Sequence, residues 1–182
     1  MKTSDSLTSL SSLRFRALPA SFRVLLGALL LGGLSGTSAS CMNPVHSDAV
    51  AALGDEAQGV RTGPTHRPGQ PCLVCHGGDG PGPDFAMAGT VYEKDGSIAP
   101  SVNTEVVLTD ATGSTRTEKT NSVGNFYIQS GRWTPTYPVD VVVQRDGVKQ
   151  AMQTRIGRQT ACATCHKSGG SSTSVAAVYL NP

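Results

Sequence analysis

Val139-Asp140-Val141-Val142-Val143-Gln144-Arg145-Asp146-Gly147-Val148-Lys149-Gln150 sets two valine-rich runs on either side of an Asp-Gly pair. Valine is stiff at χ1 and packs well on a pleated surface. Asp-Gly supplies the two positive-φ positions that a two-residue hairpin turn demands. The stretch therefore predicts a hairpin of strands Val139 to Arg145 and Val148 to Ile156. Working outward, runs of the same kind occur at Phe85 to Tyr92, Thr104 to Thr109, Ser114 to Thr120, Asn125 to Gln129 and Val175 to Leu180. Asp95-Gly96, Asp110-Ala111-Thr112-Gly113 and Gly124-Asn125 punctuate them. Seven short strands predict a mainly β fold, an antiparallel sandwich of about seven strands.

The flanks have another character. Residues 41 to 84 are rich in Gly and Pro, and offer one short helix, Ser47 to Leu53, with Ser47 or Asp48 as N-cap and Gly54 as its stop. Such a segment buries little apolar surface by itself, and a bound group would supply the missing core. The expected organisation is an N-terminal binding segment at 41 to 84, the sandwich at 85 to 160, and a second motif with a C-terminal strand at 161 to 182.

Both flanks carry Cys-x-x-Cys-His, as Cys72-Leu73-Val74-Cys75-His76 and Cys162-Ala163-Thr164-Cys165-His166. The pattern is that of covalent haem attachment, in which two thiols add across the porphyrin vinyl groups and the adjacent imidazole binds the iron. With only four histidines in the chain, two such coincidences are improbable by composition. Cys and His at short spacing also suit zinc, but a structural zinc site has no need of His directly after both pairs. A dithiol redox pair is the other alternative, and no thioredoxin-like alternation of strand and helix surrounds either motif. The expected cofactors are thus two haem c groups on Cys72, Cys75, His76, Cys162, Cys165 and His166.

His46 and His66 are the remaining histidines, and they are the candidate distal ligands of two six-coordinate irons. Met152, ten residues before Cys162, is the alternative. Met87 is expected in the core, and Met42 is a weaker ligand candidate. Trp133 and Tyr137 are expected to close one end of the sandwich. Arg67 and Lys167 stand beside the motifs, where they can pair with propionates or serve as ordinary surface charge.

Residues 1 to 40 read as a secretory leader: Arg14, Arg16 and Arg23 precede the apolar run Val24 to Leu31, and small residues follow. Cys41 after Ser38-Ala39-Ser40 resembles a bacterial lipoprotein cleavage site, with ordinary cleavage near Ala39 as the alternative. Export agrees with haem attachment outside the cytoplasmic membrane, and the expected location is periplasmic or on the outer membrane of a bacterium. Without the leader, 11 basic and 12 acidic residues remain, a balance of −1 against +2 for the whole chain. Nothing in that charge points to nucleic acid.

Ala88-Gly89-Thr90-Val91-Tyr92, Asp95-Gly96, Val106 to Asp110 and Thr120-Asn121-Ser122-Val123-Gly124-Asn125-Phe126-Tyr127 together resemble the carboxypeptidase regulatory-like domain, a transthyretin-like sandwich, over residues 86 to 156. That resemblance implies a buried aromatic after the Gly124 turn and little about activity. The whole arrangement resembles small exported dihaem cytochromes. It implies a one-electron carrier between membrane or periplasmic redox proteins, with the sandwich as a spacer between the haems, a lipid at Cys41 as anchor and no small-molecule substrate. The alternatives are a small dihaem peroxidase or reductase, which needs an open iron and an acid/base group, and a surface assembly module that uses haem for conduction.

Overall fold

The chain is described by a computed structural model covering residues 44–56, 58–78, 80, 82–167, 172 and 174–181. The leader, Cys41 and Met42 lie outside these residues. The described part belongs to one unit, Met42–Pro182. It opens with α1 (Pro44–Ala51) and the single turn α2 (Leu73–His76). Strands β1 (Phe85–Thr90), β2 (Tyr92–Lys94), β3 (Glu105–Thr109), β4 (Thr115–Lys119) and β5 (Asn125–Gln129) follow. After a 3-10 turn at Ser130–Arg132 come β6 (Asp140–Arg145) and β7 (Val148–Ala151). A second 3-10 turn, Cys162–Thr164, leads into β8 (His166–Lys167), β9 (Val175–Ala176) and β10 (Tyr179–Asn181).

The fold is mainly β, as the strand pattern predicts. The opening hairpin is β6 and β7, with Arg145 paired to Val148 across a turn in which Asp146 (φ 52°) and Gly147 (φ 83°) are both left-handed. β7 ends at Ala151, earlier than the run to Ile156 predicts; Ile156 instead makes an isolated bridge to Val139. These two strands extend a four-stranded antiparallel sheet in the order β4-β3-β6-β7. On β3, Val106 and Leu108 are fully buried while Glu105, Val107 and Thr109 are not, the period-two signature of a sheet with one face on the core. On the outermost β4, Arg116, Glu118 and Lys119 blunt an open edge.

The opposing layer departs from a simple antiparallel arrangement. β1 pairs antiparallel with β5, whereas β2 pairs parallel with β10, and β8 pairs parallel with β9. The run Phe85 to Tyr92 divides at Val91 because the chain changes partners there: the Val91 N–H donates to Gly124 O and its carbonyl accepts from the Ser101 N–H, while Tyr92 turns to Val178 O. Among the described residues the seven runs give nine strands, and β8 is a tenth that no run predicts. Met87, Val91, Phe126, Ile128 and Leu180 meet Val106, Leu108 and Val143 in one core. Phe126 is buried after the Gly124 turn, and Trp133 packs half-buried against the same core.

Polar groups close the other end. Arg145 makes a bidentate pair with Glu93, both N···O distances 2.8 Å, and also donates to Ser101, Val102 O and Thr104. The hydrogen bond from Arg145 holds the Glu93 carboxyl below its ordinary value.

Gly124 (φ 80°) has the carbonyl of Val91 where a Cβ would sit, whereas Gly96 (φ 68°) faces open space. Gly96→Ala is expected to cost about 1–2 kcal/mol, the strain of a left-handed non-glycine residue. Gly124→Ala adds a backbone collision at the point where β1 hands over to β2. Thermal unfolding followed by circular dichroism should give a clearly larger fall in Tm for Gly124→Ala than for Gly96→Ala; equal falls would show that the collision is relieved.

Candidate functional site

Each cysteine motif forms the same turn. The Cys75 N–H donates to Cys72 O at 3.2 Å and the Cys165 N–H donates to Cys162 O at 3.2 Å. A helical turn of this kind places the first and fourth residues on neighbouring positions of one side; in the second motif Cys162 packs against the core while Cys165 is exposed. Pro71 O accepts from the Val74 N–H and Ala161 O from the Thr164 N–H, so each turn is fixed from its first residue onward. None of these four cysteines is in a disulfide.

The two motif histidines are oriented by the same device on different scaffolds. His76 places Nδ1 2.8 Å from Pro83 O, and His166 places Nδ1 2.7 Å from Ala176 O. A carbonyl can only accept, so in both rings Nδ1 carries the proton and donates, leaving the Nε2 lone pair for a metal. This is the usual arrangement behind a metal-bound imidazole. His76 is buried and His166 half-buried. The backbone at Gly82 lies so close to the His76 ring that a Cβ would overlap it. Gly82-Pro83 is therefore a cradle for the imidazole as well as the turn that leaves the motif.

An aromatic column surrounds His76. Phe85 stacks on it with centroids 4.2 Å apart and Tyr127 stacks on Phe85 at 4.7 Å, both pairs within 17° of parallel. His66 joins the column 5.7 Å from His76, tilted by 15°. The structure thus brings His66 to the first motif, but face to face with His76 and not opposed to it across a shared metal. Its Nδ1 accepts the Gly63 N–H at 3.2 Å, so in this arrangement the neutral ring carries its proton on Nε2. His66 must release Gly63 before its Nε2 can bind iron.

α1, which carries His46, packs against α2 of the first motif. His46 is half-buried on α1, and Met152 is exposed just beyond β7 with its N–H on Val141 O. Met87 is fully buried in the core. Arg67 is spent on the Gln70 side chain and Gly54 O, and Lys167 is exposed on β8. Sequence reasoning missed the Phe85–Tyr127 stack, whose only trace is an aromatic at the start of one strand and another in the middle of the strand that pairs with it.

Both motifs border β1. The Gly69 N–H, just before the first motif, donates to Thr90 Oγ1 at 2.7 Å. The Ala88 N–H donates to Thr160 O at 3.1 Å, Ala88 bridges Ala161, and a Cβ on Gly89 would lie 2.8 Å from Cys162 Sγ. Burial pushes the Cys162 thiol up to about 12, and the charge of Cys72 adds to the rise. Burial also raises the Cys72 thiol. The expected spacer thus has both motifs along one strand, because the intervening chain returns to β1.

Among the described residues no group of three or more His, Cys, Asp or Glu side chains is gathered for a metal ion. A haem needs one imidazole and two thiols from each motif. The donor set of each motif fits a covalently attached haem. Comparison of the chain with protein-family models, with curated proteins and with solved structures gave no match. No helix among the described residues is long and apolar enough to cross a membrane.

Thiolate is the reactive form of cysteine. In haem-free protein at pH 8, iodoacetamide should modify the exposed Cys165 first and Cys162 last, read by peptide mass spectrometry. A thiol whose pKa rises on folding keeps its proton in the native state while the unfolded chain loses it, so stability falls as pH rises. Cys162 therefore predicts a loss of haem-free stability between pH 9.0 and about 12. Urea unfolding across that range should show the loss to be smaller in Cys162→Ala.

Proposed function

We propose that this chain is an exported dihaem c-type cytochrome that carries single electrons between membrane or periplasmic redox proteins. The observation that carries the reading is the paired histidine geometry: two CxxCH motifs on unrelated local scaffolds each commit Nδ1 to a backbone carbonyl and leave Nε2 for iron. When bound, each haem supplies an iron that cycles between ferric and ferrous states. Cys72 with Cys75, and Cys162 with Cys165, tether the porphyrins through thioethers; His76 and His166 are the proximal ligands. Pro83 O and Ala176 O fix the ring orientation and make the imidazoles stronger donors.

His46 and His66 are the proposed distal ligands, with Met152 the alternative that would raise the reduction potential of its site. A site closed on both faces of the iron has no position for substrate, which favours a carrier over a peroxidase or reductase. The leader and Cys41 support a location outside the cytoplasmic membrane, with a lipid on Cys41 as the proposed anchor. A carboxypeptidase regulatory-like sandwich is the proposed scaffold, and the partners are redox proteins.

The full chain, exported from a host that attaches haem c, should carry two haems by pyridine haemochrome assay. Cys72→Ala with Cys75→Ala should remove one, and Cys162→Ala with Cys165→Ala the other. Low-temperature EPR of the oxidised protein should show low-spin iron only, and the reduced protein should bind carbon monoxide slowly or not at all. Rapid, full binding at one haem would move the function to the enzyme class. Zinc in place of haem would overturn the reading altogether.

A further inference from the structure

Residues 76 to 161 separate the last cysteine of the first motif from the first cysteine of the second. Such a separation reads as distance, yet the chain folds back so that both motifs border β1. One end of the strand holds Gly69, three residues before Cys72, through Thr90 Oγ1. The adjacent positions hold the second motif: Ala88 takes Thr160 O and bridges Ala161, and Gly89 lies directly under Cys162. A single cleft is lined by Gly69 from the approach to the first motif and by Cys162, Ala163 and His166 from the second, with Thr90 and Tyr92 between them.

We infer that the two motifs form one composite attachment site, in which Cys72 and Cys162 hold their haems as a contacting pair along β1. The inference rests on the dihaem reading and goes beyond it, because two separated haems satisfy that reading equally well. It follows from attachment geometry: a thioether is short, so two porphyrins bonded to motifs that meet adjacent positions of one strand have neighbouring edges. Tyr92 and Thr90 would then line the space between the two attachment points, and Gly69 and Gly89 are the positions where any side chain would obstruct it. An electron resting on one member opposes the arrival of the next, since like charges interact strongly at short range in a medium poorer than water in screening. The chain would titrate as a coupled pair and not as two independent centres.

Soret circular dichroism of the exported full chain tests this, with haem content measured on the same sample. Two haems per chain and a bisignate Soret couplet, absent from Cys72→Ala/Cys75→Ala and from Cys162→Ala/Cys165→Ala, are the expected result. Two haems with a spectrum equal to the sum of the two single-haem variants would overturn the contacting pair and leave the carrier reading standing. Fewer than two haems on the unaltered chain would remove the carrier reading itself. If either variant fails to accumulate, EPR of the unaltered protein decides: signals broadened when both irons are ferric and sharpened on half-reduction support the pair, and linewidths indifferent to reduction overturn it.

Discussion

Gly89 has no room for a side chain, and the joining of the site to the core depends on that. A Cβ there would lie 2.8 Å from both Cβ and Sγ of Cys162 and 3.0 Å from the Phe126 ring. The same backbone therefore touches a core aromatic and a motif cysteine. Ordinary glycine arguments concern φ, but Gly89 is in a strand and owes its identity to close approach. Ala88 beside it, 1 % exposed, lets Thr160 and Ala161 come into bridging range. Small residues in β1 are thus the means by which a Cys-x-x-Cys-His motif can sit against a packed sandwich.

The N-terminal segment is attached by a different kind of force. α1 has no buried residue and α2 contributes only His76, so 41–84 has little core of its own. Its anchors are hydrogen bonds into the sandwich: Asn125 Nδ2 donates to Pro64 O at 3.3 Å and to His66 O at 3.0 Å, Asn121 Nδ2 donates to Pro64 O at 2.6 Å, and Gly69 N–H reaches Thr90. Thr90 Oγ1 in turn donates to Asn125 Oδ1 at 2.7 Å, tying the anchors to one another. At about 1 kcal/mol net apiece, such bonds position a segment without making it a robust unit. Turn residues Asn121 and Asn125 thereby do double service. Asn121 Oδ1 caps the N–H groups of Val123 and Asn125 while its amide holds the segment that leads to the first motif.

What could be read from the sequence follows from the range of each signal. The CxxCH motifs, the Asp146-Gly147 hairpin and the burial of Phe126 are local, and the chain carries them within a few residues. The parallel pairing of β2 with β10 is not local: 84 residues separate Lys94 from Tyr179, and period-two alternation is blind to strand direction. The shortening of β7 has a similar cause, because Ile156 belongs to the core through its bridge to Val139 and the residues between need no ladder. Gly82-Pro83 belongs to a Gly- and Pro-rich stretch whose composition marks a turn. Its further task, accepting the His76 proton bond, depends on where the ring lands and leaves no mark in composition.

The imidazoles show how far a backbone can decide chemistry before any metal arrives. All three rings for which the contacts are defined use Nδ1, but His76 and His166 meet a carbonyl and His66 meets an amide. The first contact puts the lone pair on Nε2; the second puts the proton there. On the proposed reading, a ring poised to bind iron and one that must first rearrange are thus distinguished by one hydrogen-bond polarity, although all three are imidazoles on irregular or short elements. Converting His66 into a ligand requires breaking one backbone bond and leaving the stack on His76, a modest cost of about 1 kcal/mol for the bond itself. That cost is small beside the strength of an iron–imidazole bond but large enough to matter before the iron is in place. On the proposed dihaem reading, His76 is already poised by Pro83 O, whereas His66 would have to give up Gly63 before it could serve as a ligand.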